Sequence, residues 1–165
     1  MTIWHYRKLI KEGVKNLLLG ATSAGDSVEN GRRNGIDPKE MPFIAVYATD
    51  ETVKRVADSP LEVERTLTVV VECYTAKRDG ADGDFDTLSG EVETLLNDID
   101  PGLILEGASS FNLLRVEQVN EGEKAAQAYS FGALTYEIVY NVVADSIVSP
   151  TIATVETISN LTPPS

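Results

Sequence analysis

Apolar positions along the chain fall into two helical stretches and several extended ones. Ile3, Tyr6, Ile10, Val14, Leu17 and Leu18 recur at helical spacing with basic residues mostly opposite them, which predicts an amphipathic helix docked on a sheet. Gly20 can stop that helix, and "ATSAGDSVENGRR" reads as a turn followed by a short polar strand. "MPFIAVYAT", residues 41–49, predicts a strand entered at Pro42, and "TDETVKRV" a tight connection into further extended chain. From Glu62 to Thr75 the alternation is clearest. Val63, Leu67, Val69, Val71 and Cys73 share one face, and Glu62, Glu64, Thr66, Thr68, Glu72 and Tyr74 the other, so one face is expected in the core and the other in water.

After the acidic loop "AKRDGADGDFD", Phe85, Leu88, Val92, Leu95, Leu96 and Ile99 step by three and four, predicting a second helix. Asp84 or Asp86 would cap it and Pro101-Gly102 would end it. Two long strands, near "FNLLRVEQVN" and "AYSFGALTYEIVYNVV", flank the hairpin-like "EGEKAAQ" and are expected to pair antiparallel. The last 21 residues contain no Lys or Arg and many Ser, Thr and Pro. They read either as an arm that orders by adding a strand to a neighbour or as a frayed terminus. No internal repeat is visible.

Length and composition narrow the function classes. A chain of 165 residues has the size of one domain, and 42% hydrophobic with 24% charged residues is the balance of a globular protein. Acids outnumber bases 26 to 14, for a net charge of −12. That excess argues against a surface that neutralises phosphates, and it suits a surface past which a polyanion slides. The single cysteine, Cys73, is expected as a small buried hydrophobe and excludes a disulfide framework within one chain. Arg7, Lys8, Lys11, Glu12 and Lys15 interrupt the N-terminal apolar residues, so no signal-peptide core is expected there, and a cytoplasmic setting is. The apolar runs are too short to span a bilayer.

Chemistry-bearing motifs are sparse. His5, the only histidine, lies in the first helix beside Trp4, where helix packing is the expected role. Neither glycine-rich phosphate motif occurs. In "DGDFDTLSGEVE", Asp82, Asp84, Asp86 and Glu93 occupy positions 1, 3, 5 and 12 of a calcium loop. Thr87 stands where that loop needs glycine, and the helical pattern through the segment favours an ordinary capped helix start with acids near its positive end. Glu62 and Glu64 are read as residues that blunt a sheet surface. No enzyme, cofactor or metal is therefore expected, and a binding or assembly role is.

The order of segments carries a resemblance. An amphipathic helix, two arginines followed by "DPKEMPFIAVYATDE", the strand "ERTLTVVVECYT" with Arg65, a helix, and a closing pair ending in "ALTYEIVYNV" resemble the tail terminator proteins of long-tailed bacteriophages, the lambda-like minor tail protein U family. The similarity covers approximately residues 3–142. It implies an α+β fold, with a mixed, mainly antiparallel sheet flanked by two helices in one domain over residues 1–144. An extended or flexible C-terminal arm, residues 145–165, departs from compact members. It also implies a homohexameric ring at the head-proximal end of a finished tail tube. Such a ring ends polymerisation, offers a surface to head-to-tail connector or neck proteins, and lets genomic DNA pass through its lumen without specific binding. The expected partners are the chain itself, the tail tube protein and the connector. The expected place is the virion tail, after assembly in a host cytoplasm and without a membrane.

On that resemblance the subunit interface is expected at Arg32, Arg33, Asp37, Lys39, Arg55 and Arg65. Arginines suit bidentate pairing with carboxylates on a neighbour, and Pro38 and Pro42 stiffen the loop between them. Reversing Arg32 and Arg33 to Glu should leave the fold intact and prevent rings. Alternatives are another ring-forming head-to-tail or tail-completion protein or, in a different class, a monomeric divalent-metal-binding module built on the Asp82–Glu93 loop.

Overall fold

A computed structural model describes residues 4–31, 35–76, 83–119 and 129–144. Helix α1 spans Trp4–Leu18, followed by β1 (Val28–Asn30), β2 (Phe43–Asp58), β3 (Leu61–Ala76), α2 (Gly83–Leu96), β4 (Ala108–Val119) and β5 (Tyr129–Ala144). The five strands form one sheet in the order β1-β2-β3-β5-β4. β1 pairs parallel with β2, and the other pairings are antiparallel. The fold is therefore α+β, with a mixed, mainly antiparallel sheet and two helices. The arm expected over 145–165 lies outside the described residues. Among the described residues no helix is long and apolar enough to cross a membrane.

Both helices bury the stripe their periodicity predicts. Ile10, Val14 and Leu18 of α1 and Leu88, Val92 and Leu96 of α2 meet Ile44, Val46, Val69, Val71, Cys73, Tyr136 and Ile138 from the sheet in one core. Each such aliphatic side chain withdrawn from water contributes about 1.5–3 kcal/mol. Two glycines set how closely these layers approach. A Cβ on Gly13 would lie 2.4 Å from the Ile104 carbonyl oxygen, and one on Gly132 would lie 2.3 Å from the Phe85 ring. A side chain at either position would force α1 off the segment before β4, or α2 off β5.

Three departures from the sequence pattern have physical causes. β2 does not stop near Thr49 but continues through "TDETVKRV" to a two-residue turn at Ser59-Pro60, because β3 supplies pairing partners out to Leu61. α2 ends at Leu96, before Ile99, and Asp98 takes a left-handed φ of 58°, a conformation Asp tolerates better than most residues. The second face of β3 is not uniformly wet. Glu72 and Tyr74 are buried there with Val70, where Ile36, Phe43, Tyr74 and Ala45 form a small second core against Met41, Tyr129 and Phe131. Alternation assigns these residues to a face, and that face is partly covered by Ile36 and Met41 from before β2 and by Tyr129 and Phe131 of β5.

Candidate functional site

β2, β3 and β5 continue past the helices as a three-stranded ribbon. From Thr52 to Asp58 nearly every β2 residue is exposed, and β3 and β5 stay paired with each other out to Leu61 and Ala144. Val53 and Val56 are each 53% exposed, and Leu61 and Val143 are also exposed. Val53 and Leu61 point to the helix side of the sheet, whereas Val143 points to the other, so this end of the sheet is uncovered on both faces.

A buried charge network sits where the ribbon leaves the body. The register of β2 against β3 shifts between Ala48 and Glu51, and the bulge turns Glu51 to the helix side. Its side chain is 2% exposed and that of Arg65 11% exposed. Glu51 Oε2 accepts from Arg65 Nη1 at 2.9 Å and from Arg7 Nε of α1 at 2.8 Å, while Oε1 accepts from the Tyr140 hydroxyl. The Tyr140 ring packs on Tyr6 of α1 with centroids 5.7 Å apart. Burial pushes the Glu51 carboxyl up, but the Tyr140 and Arg7 hydrogen bonds and the Arg65 and Arg7 charges outweigh it and hold the carboxyl below its ordinary value. Burial, then the bond to Glu51, pushes the Tyr140 phenol up, so it stays a donor. Four elements are thereby tied to one carboxylate.

On the opposite face Glu72, 4% exposed, is held by two phenols. Tyr47 donates to Oε1 and Tyr74 to Oε2, each at 2.6 Å. Glu72 is one of the residues lining a depression of about 410 Å³ that also takes in Thr68, Arg115 and Glu117. Both carboxylate oxygens are satisfied within the subunit, and among the described side chains no histidine or thiol stands beside them as a base or nucleophile. Cys73, one residue on, faces the helices, and burial followed by the Glu72 and Glu91 charges pushes its thiol up to about 12.

The two flanks of the subunit differ in charge. α1, over β1 and β2, carries Arg7, Lys8, Lys11 and Lys15 against the single acid Glu12. α2, over β3 and β5, carries Asp84, Asp86, Glu91 and Glu93 and no base. Between α2 and β4 run two adjoining depressions of about 560 and 580 Å³ that share Asn97 and Asp98. β4 is the edge strand there, with Leu114 55% exposed and Val116 and Val119 also exposed.

The residues expected at a subunit interface are dispersed. Arg32 and Arg33 lie outside the described residues. Asp37 caps the short 3-10 turn Pro38–Glu40 by accepting from Lys39 N at 2.9 Å, and the Lys39 side chain is exposed. Arg55 stands near the ribbon tip, paired with Asp58. Arg65 turns inward to Glu51. Of the weak calcium candidates, Asp82 and the Asp84 side chain lie outside the described residues, while Asp86 and Glu93 stand two turns apart on α2 and line one depression. Among the described residues no group of three His, Cys, Asp or Glu side chains gathers to hold a metal ion.

Sequence reasoning passed over Glu51 and Glu72. Glu51 is reached only through the bulge, which leaves no clear mark in "ATDETV". Glu72 carried a faint signal, a lone acid inside the apolar run "VVVEC". In comparisons with known proteins, the chain matches no protein-family model and no curated protein.

Proposed function

We propose that this protein is a structural subunit of a phage virion. Copies of it form a ring at the head-proximal end of a tail tube, end tube growth there and present a surface for joining the head. The observation that carries this reading is the ribbon. A strongly acidic, soluble-type sequence leaves one end of its sheet uncovered on both faces, with Val53, Val56, Leu61 and Val143 in water. Exposed apolar side chains on a sheet end left bare on both faces suit a protein–protein contact, and a ring subunit has neighbours and a tube to cover them. The resemblance in segment order supports the same reading, and so does the two-helix mixed sheet that the resemblance implies.

The buried network fits the role mechanically. A projecting ribbon transmits load to its body, and the Glu51 links to α1, β3 and β5 fix it there. The net charge of −12 suits a lumen through which DNA passes without sticking. No catalytic step belongs to this function. Negative-stain imaging of purified protein mixed with tail tubes tests it. Caps at one tube end and arrested elongation are expected, and tubes that stay uncapped and continue to grow would refute it.

A further inference from the structure

The charge difference between the flanks has a direction. The sheet order puts β1 and β2, under α1, at one side and β4 at the other, separated by three or four strand spacings of about 4.8 Å. Lys8, Lys11 and Lys15 recur at three- and four-residue steps on α1, flanking its buried stripe of Ile10, Val14 and Leu18, with Lys8 exposed and Lys11 and Lys15 half-buried, and Leu19 is exposed just past the helix end. In a chain with nearly twice as many acids as bases, this is a basic helix. The groove between α2 and β4 offers the complement. Asp86, Glu93 and Asp98 line it, Gly90 leaves its wall open, and Val116 supplies an exposed apolar contact.

A basic ridge on one side and an acidic groove on the opposite side cannot satisfy each other within one molecule. Two copies related by a twofold axis bring like patches together, whereas a head-to-tail arrangement brings unlike ones together and closes into a ring if the rotation allows. We infer that the groove between α2 and β4 receives the Lys8–Lys11–Lys15 ridge of α1 from a second copy of this chain, and that this contact is the repeating joint of the ring. The inference rests on the ring reading above and adds to it the two surfaces that meet. It differs from the arginine-loop interface that the resemblance implies.

Because the two patches are different, charge reversal provides a decisive test. One variant carries Lys8→Glu, Lys11→Glu and Lys15→Glu, and the other Asp86→Lys and Glu93→Lys. Sedimentation velocity of wild type, each variant and an equimolar mixture reads assembly, and a cooperative thermal melt checks folding. Each variant alone should remain monomeric. The mixture should recover an assembly with an even number of subunits and equal amounts of both chains, since each mutant ridge then faces a mutant groove. Wild-type rings accompanied by variants that still assemble alone, or by a folded mixture that stays monomeric, would overturn this joint and leave the ring reading standing. A wild type that never assembles would overturn the ring reading itself. Should the triple reversal fail to melt cooperatively, Lys8→Gln with Lys15→Gln replaces it. A roughly tenfold rise in the concentration needed for assembly supports the joint, and no change overturns it.

Discussion

The same three strands build two unlike regions. Over residues such as Val69–Cys73 and Leu134–Ile138 they lie under α1 and α2, and their helix-side residues are fully buried. A few residues further along, from Thr52 to Leu61 on β2 and β3, the pairing continues but the cover does not. Pairing alone leaves the apolar side chains of the ribbon in water. The contrast shows that the body is stabilised by what lies on the sheet, while the ribbon is held by its strands and by one buried network at its root. A surface left uncovered in the subunit is then available to an assembly.

The largest effect is expected at that root. Glu51→Ala leaves Arg65 mostly buried without its carboxylate, and removing one partner of a buried ion pair costs about 3–5 kcal/mol. Urea unfolding reads this as a lower midpoint with the slope unchanged. A loss under 1 kcal/mol would show that the network does not hold the ribbon. Next comes the body itself. Leu88→Ala opens a cavity under α2 and should cost about 2–5 kcal/mol, whereas Val53→Ala on the ribbon should stay within about 0.5 kcal/mol. Equal losses at the two sites would erase the distinction between covered and uncovered sheet.

The fold was legible wherever a residue's role follows from period and neighbours. The stripes of both helices, the alternation of β3 and the antiparallel closing pair all appear in the sequence, because burial on one face repeats every two or about 3.6 residues. What could not be read depends on pairing between distant segments. The bulge that aims Glu51 at α1 arises from register against β3, and Glu72 is held by phenols from two strands, Tyr47 of β2 and Tyr74 of β3. The charge contrast between α1 and α2 is present in the letters. Its meaning needs the strand order, which sets α1 over β1 and β2 and α2 over β3 and β5 on one face of the sheet.

A smaller effect concerns pH. The native Glu51 carboxyl lies below its ordinary value, so the unfolded chain binds its proton more readily. The stabilisation is complete above the ordinary glutamate value of about 4.3 and disappears as the pH falls through the native value. Glu51→Gln should therefore flatten the acid limb of the stability curve relative to wild type. A parallel acid limb in the variant would count against the network. Cys73 reports on the body in a further way. With its thiol buried and pushed up to about 12, it should resist labelling at pH 8 until the chain unfolds in urea. Rapid labelling of the native protein would show that the sheet under α2 opens readily.

The smallest change in stability should bring the clearest change in assembly. Val53→Ser with Val56→Ser removes apolar surface that the isolated subunit does not use, so the melting temperature should hold while capping of tail tubes is lost. Full capping by this variant would take the ribbon out of the contact.

Native mass spectrometry of the wild-type protein over a rising concentration series addresses the central claim most directly, because a ring subunit must close on a fixed number of copies. A single closed species of six subunits, with monomer and little between, is the expected result. Monomer at every concentration, or an open ladder of ever longer oligomers, would contradict the account.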